Sequence, residues 1–130
     1  MKLNLFTPEK TLLKEEECQE ILAPSVKGYL GLLPQHAPLV SLLRAGVLKY
    51  LPKAGGAWRS LALGWGYLEV YPGGVRILAE SAETKESLDR SQTEKELKQV
   101  LLDLEDLTLE PSKRERLEKQ KLLLEGRLEL

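Results

Sequence analysis

The sequence predicts a β-plus-α chain. An antiparallel β-sandwich or barrel should occupy residues 1–84, and an antiparallel helical hairpin residues 85–130. Three observations predict this. Turn formers and aromatics crowd the first part: all seven aromatics lie at or before Tyr71, nine of ten glycines before Val75 and six of seven prolines at or before Pro72. Charge shifts the other way near residue 82, with 16 charged side chains before residue 83 and 23 in the shorter remainder. Hydrophobic periodicity changes with it, from alternation to helical spacing. Aromatics and turn residues suit strands, while Leu, Glu, Lys and Gln favour helix.

The first strand candidate is KLNLF near the N-terminus, followed by the stretch from Cys18 to Ala23 and by Tyr29–Leu33. The run Val26–Leu39, VKGYLGLLPQHAPL, holds two glycines, two prolines and the single histidine. Pro34 and Pro38 lack a backbone donor and bias the preceding residue to extended geometry. Leu30, Leu32, Leu33 and Leu39 make the run too apolar for a solvated linker. It reads as a rigid loop shaped against a surface.

Strand VLKYLP is then separated by Gly55-Gly56 from WRSLALG, where Leu61 and Leu63 oppose Ser60 and Ala62. In YLEV, Leu68 and Val70 oppose Tyr67 and Glu69. In VRILAE, Val75, Ile77 and Ala79 oppose Arg76, Leu78 and Glu80. Gly73-Gly74 joins these two runs at hairpin spacing. Short strands in close succession without intervening helices argue an antiparallel sandwich or barrel. Apolar residues at outward positions, Leu78 for example, imply strands covered on both faces or a face kept for a partner.

The first helix is expected from about Ser87 to Leu107, with Leu97, Val100, Leu101, Leu104 and Leu107 as its stripe; only Leu88 is apolar before Leu97, so its start is either frayed or nearer Thr93. Pro111 breaks the chain, and Ser112 with Glu115 makes a capping-box pattern. Leu117, Leu124 and Leu128 share a face of the second helix. Residues 83–110 carry net charge −5 and residues 111–130 net +2, which weakly favours antiparallel pairing. Two helices have no interior of their own. The pair must lean on the β unit or on a partner.

Composition narrows function. A net charge of −1 makes no electrostatic case for nucleic acid. No apolar run approaches the roughly 20 residues of a membrane span, and the N-terminus lacks the apolar core of a signal peptide. The single cysteine, Cys18, rules out an internal disulfide and fits a reducing compartment. One histidine and one cysteine leave no metal-ligand pattern. His36 has no nucleophile or metal partner in a motif.

The segments GYLGLLPQHAPLVSLLRAGVLKY, ALGWGYLEVYPGGVRILAESAE and ESLDRSQ resemble the epsilon subunit of F-type ATP synthases. The L-P-x-H-A-P-L core with L-E-V downstream is the specific part. Agreement runs from residue 2 to about residue 90, and the helical tail agrees in type and length. The resemblance implies a sandwich of about ten strands, a helical hairpin and no active site or cofactor. It implies a proton-translocating complex in which the sandwich clamps the gamma subunit and sits on the c-ring. The hairpin would rise in an inhibited state against the catalytic alpha/beta head. In some relatives the folded hairpin binds ATP. The chain would then lie on the cytoplasmic face of the bacterial plasma membrane, or the stromal face of the thylakoid. Any membrane association would come through the complex.

The resemblance puts Pro34, His36, Ala37 and Leu39 at the contact with gamma. A plainer role for His36, compatible with this, is to fix its own loop by a backbone hydrogen bond. Lys27, Gly28, Tyr29 and Leu30 fall at the c-ring contact, with Tyr29 alternatively packed on its own sheet. Trp65, between Gly64 and Gly66, either belongs to the local core or covers a partner. Leu88 and Asp89 match the relatives' ATP motif, but Gln92 replaces its arginine and Thr93 its alanine. Gln92 cannot supply a forked, charged phosphate contact, and Arg90 lies on another helix face. The motif is therefore degenerate, and Glu83 and Asp89 read as hinge and capping residues. Of the basic residues Lys113, Arg114, Arg116, Lys119, Lys121 and Arg127, the resemblance makes Arg114, Arg116, Lys119 and Lys121 the inhibitory set. The alternatives are an ATP-sensing hairpin and a β-sandwich adaptor outside the synthase.

Overall fold

The computed structural model describes all 130 residues. Nine strands precede two helices: β1 Lys2–Phe6, β2 Thr11–Ser25, β3 Gly28–Leu32, β4 Leu39–Leu43, β5 Gly46–Pro52, β6 Arg59–Leu63, β7 Gly66–Tyr71, β8 Gly74–Ala79, β9 Ala82–Glu83, then α1 Arg90–Leu104 and α2 Pro111–Leu128. The strands run in the order β1-β8-β7-β4-β2-β5-β6-β9, and β3 pairs with β2. Because β1 also pairs with β2, the sheet folds back on itself around one core. The alternating residues fill that core: Leu68, Val70, Val75, Ile77 and Ala79 are all buried in it, while Arg76 and Leu78 point out.

Three features of the strands and of the α2 start depart from the sequence expectation. The β1–β8 pair is parallel, so the sandwich is not wholly antiparallel. Strand β2 begins at Thr11 rather than near Cys18. Its charged Lys14–Glu17 stretch hides the strand from a hydrophobic pattern. Its irregularity is local: Glu15 sits at φ 49°, and its N–H donates to Asn4 Oδ1 at 2.9 Å. That bulge re-aims β2 between its β1 and β5 partners. Finally, the capping box does not form. Pro111 is the first residue of α2, and Glu110 precedes it with no side-chain cap. Proline is suited to a first helical position because its missing donor is unpaired there anyway.

Helix α1 starts at Arg90, between the two expected starts, and ends one turn short of Leu107. Asp89 caps it, accepting from the Gln92 N–H at 3.0 Å. The helices are antiparallel: Arg90 at the start of α1 donates to Leu128 O, and Arg114 at the start of α2 donates to Leu104 O. Helix α2 packs on β5 and β6. Ala45, Val47, Ala62, Val100 and Leu124 are buried but stand outside the sandwich core. Val47 and Ala62 are register partners. They form the outer face that α2 covers, which explains why Leu61, Ala62 and Leu63 are all buried in consecutive positions.

Candidate functional site

The loop that joins β3 to β4 is held by its own backbone. Leu33 O accepts from the His36 N–H at 3.1 Å, closing a turn with Pro34 and Gln35 at its centre. Gln35 takes φ 68°, the positive angle that the third residue of a type II turn demands and that a side chain resists. His36 Nδ1 lies 2.8 Å from Ala37 O, so the ring braces the loop, as the plainer reading expects. Pro34 and His36 line a cleft of about 300 Å³ with Met1, Glu17 and Tyr71. Ala37 is exposed and Leu39 half-buried.

The second segment stands beside the first. Gly28 takes φ 114°, which turns the chain from β2 into β3. Tyr29 is 47 % exposed, yet its hydroxyl accepts from the Val47 N–H at 3.4 Å. Its ring therefore packs on its own sheet and still offers a face outward. Lys27, Gly28, Tyr29 and Leu30 line a groove of about 470 Å³ with Leu39, Val40 and Leu42. Leu39 thus belongs with the second segment, whereas Pro34 and His36 share the other cleft.

Sequence reasoning named Leu78 as an outward apolar residue but missed the row it belongs to. Leu42, Tyr67 and Leu78 are successive register partners across β4, β7 and β8, with Phe6 of β1 beyond Leu78. Leu42, Tyr67 and Leu78 are exposed, as is Val40 at 71 %. A cleft of about 310 Å³ continues the row between Phe6, Trp65, Tyr67 and Leu78. Outward apolar residues in three separate strands were the available signal; only strand order shows that they adjoin.

Between β9 and α1, Ser87 Oγ donates to Glu83 Oε2 at 2.8 Å and accepts from the Thr84 N–H. Thr93 is buried and donates to Asp89 O. Leu88, Asp89 and Gln92 line a cleft of about 220 Å³ whose charged walls are Glu83, Asp89, Glu96 and Arg127. Three carboxylates to one guanidinium is a poor setting for a triphosphate.

The basic residues of α2 divide by what they touch. Arg114 donates to Leu104 O and Asp106 O and so caps the end of α1. Lys119 lies over the Trp65 ring, 5.3 Å from its centre. Arg116 is exposed and Lys121 half-buried. No cluster of His, Cys, Asp and Glu side chains converges as a metal site. Cys18 is 1 % exposed, and burial, with Glu16 nearby, pushes its thiol up to about 11. It is a protonated core residue rather than a nucleophile.

Residues 1–85 match the family described as ATP synthase, Delta/Epsilon chain, beta-sandwich domain. The ATP synthase epsilon chain of Bdellovibrio bacteriovorus is 42% identical over 93 residues, covering 72% of this chain and 66% of that one. Those of Solibacter usitatus and Prochlorococcus marinus are 43% and 36% identical, covering 68% and 77% of this chain and 64% and 72% of theirs. The match to the first of these relatives thus spans a little under two thirds of its length. The fold is similar to a chain of the Euglena gracilis mitochondrial ATP synthase at TM-score 0.84 and 23% identity, covering 99% of this chain and 79% of that one. A chain of the Tetrahymena thermophila enzyme's central stalk and c-ring aligns at TM-score 0.66 and 14% identity, covering 99% and 94%. Since the family match takes in more than half of the residues, the chain belongs to the ATP synthase delta/epsilon family, and its curated relatives place it among the epsilon chains.

Proposed function

We propose that this chain is a non-catalytic central-stalk subunit of a proton-translocating F-type ATP synthase. It joins the gamma subunit to the c-ring, and its hairpin restrains ATP hydrolysis. The observation that carries this reading is the family match over the sandwich, residues 1–85. The geometry supports it: two rigid, exposed segments and a row of apolar side chains adjoin on one unit.

In this reading residues 1–84 and 85–130 act as two units. Pro34, His36, Ala37 and Leu39 meet gamma, and Lys27, Gly28, Tyr29 and Leu30 meet loops of the c-ring. The strained turn at Gln35 supports an interface role, because strain persists only where a fixed shape is required. Arg114, Arg116, Lys119 and Lys121 serve the inhibited state by meeting acidic segments of the catalytic head. No helix is long and apolar enough to cross a membrane. The subunit reaches the membrane through its complex, on the cytoplasmic face in bacteria or the stromal face of a thylakoid.

The energy required of the hairpin is modest. Moving a two-state element from 1:99 to 99:1 takes about 5.5 kcal/mol of differential binding. Deleting residues 88–130 should leave a sandwich that still co-purifies with gamma and should raise the ATPase activity of the assembled complex. Unchanged activity would remove the restraint and leave the joining role. The acidic hinge cleft does not favour the ATP-sensing alternative. Calorimetry of the whole chain with millimolar ATP should show no binding heat.

A further inference from the structure

We infer that Gly126, Gly46 and Trp65 form a latch that sets how readily the hairpin leaves the sandwich. The latch matters to regulation only if the hairpin is a mobile restraint, as proposed above.

Gly126 is the single glycine of α2 and costs helix stability there. Its position explains it. A Cβ on Gly126 would sit 3.4 Å from Gly46 Cα and 3.6 Å from Gly46 N and C, so the helix backbone rests directly on β5. Gly46 is fixed in turn, since a Cβ there would come 2.7 Å from Pro24 Cβ. A methyl fits at residue 126, but a longer side chain must lift the helix. Leu124, 1 % exposed, seats the same turn of α2.

The second point of contact is two turns earlier. Lys119 is seven residues before Gly126, so both share a helix face about 10 Å apart. Its ammonium lies 5.3 Å from the centre of the Trp65 ring. Trp65 sits half-buried in the β6–β7 connection between two glycines that the neighbouring chain crowds. A Cβ on Gly64 would meet Ser81 Oγ at 2.7 Å, and one on Gly66 would meet Ala79 Cα at 2.8 Å. Those glycines let the connection lie close against the end of β8 and the turn after it, with Trp65 half-buried between them and its indole Nε1 enclosed.

The latch competes with inhibition for the same groups. Lys119 cannot lie on Trp65 and meet an acidic segment of another subunit at once. Arg114 is occupied in the same way by the carbonyls of Leu104 and Asp106 while the hairpin is closed. Contacts that exclude each other define two states, and each state draws on what the other releases.

The test is a distance measurement on the full chain. A fluorophore pair at Lys49→Cys and Glu118→Cys reports the open fraction, with Cys18 shielded by burial. Gly126→Leu should open the hairpin in most molecules, and Gly126→Ala should behave as the parent. Leucine favours helix more than glycine does, so unchanged far-UV circular dichroism would show that docking, not helix formation, was lost. Trp65→Ala should raise the open-to-closed ratio about two- to five-fold, the worth of an exposed cation–π contact. A closed Gly126→Leu chain, or an alanine variant as open as the leucine one, would overturn the latch. An unmoved ratio in Trp65→Ala would remove the tryptophan from it. ATPase activity of the assembled complex separates the two ideas. An open hairpin with unaltered activity keeps the latch and sinks the inhibitory role. Lowered activity with a hairpin that stays closed in the isolated chain does the reverse.

Discussion

The sandwich gathers 17 buried side chains into one cluster, whereas the hairpin buries only Thr93, Val100, Leu124 and Gly126. Both are regular and well paired along their backbones, so the contrast lies in burial alone. Each strand shares its inner face with several others. Each helix has one partner helix, and α2 is the one that packs chiefly on β5 and β6. Most helical stability in proteins comes from packing of an apolar face. A hairpin with so little buried surface is stable through what it touches, which is the property that the proposed exchange of surfaces requires. An element built to move needs that property, and an element built to carry force must lack it.

The contrast is broken most directly by matched truncations. Leu68→Ala removes a core side chain that is 0 % exposed and should cost about 2–5 kcal/mol in urea unfolding. Leu102→Ala, in α1 and 52 % exposed, should stay within about 0.5 kcal/mol. Equal costs would show that the hairpin is as much a part of the core as the strands are. Leu124→Ala comes next. It should cost about 2–3 kcal/mol, but only to docking: amides of α1 and α2 should exchange faster while those of β7 and β8 keep their protection. Faster exchange throughout would mean one cooperative unit rather than two.

Much of this division was legible in the sequence, because alternation and helical spacing report burial directly. Leu68, Val70, Val75 and Ile77 occupy the core that their spacing predicts. Features set by partners rather than by periodicity were not legible. The parallel β1–β8 pair depends on where two distant strands meet. The first part of β2, from Thr11, runs into the charged stretch Lys14–Glu17, which has no buried residue to advertise it. The Ser112 and Glu115 pattern misled because Pro111 took the first helical position. At the candidate interfaces the loop and its Tyr29 turn were legible from their glycines and prolines. The row Leu42–Tyr67–Leu78 was not, since adjacency across strands is a property of topology. Nor was Lys119 on Trp65, which pairs residues from two different units.

The smallest effects should separate the two regions by pH, from opposite ends. Cys18 stands for the sandwich. Its thiol is pushed from 9.0 up to about 11, so the fold holds it neutral while an unfolded chain lets it ionise. That contribution is whole below pH 9 and is lost as pH rises toward 11, about 1 kcal/mol at pH 10. Cys18→Ala should flatten this alkaline limb, and native Cys18 should resist alkylation at pH 8 until urea exposes it. Asp106 stands for the hairpin. Its carboxylate accepts from the Thr108 hydroxyl and N–H at 2.6 and 2.8 Å, which lowers its pKa below the usual 3.8. A lowered pKa favours the folded turn above that value, and the benefit disappears as pH falls through the folded pKa. The group is fully exposed, so the effect is small and screened by salt. Amide exchange at Thr108 should therefore quicken relative to its intrinsic rate as pH falls below 3.8, less so in Asp106→Asn, while the β-sheet amides stay unmoved. Acid loosening of the sheet together with the turn would tie the two regions into one, and the independence that a movable hairpin requires would be lost.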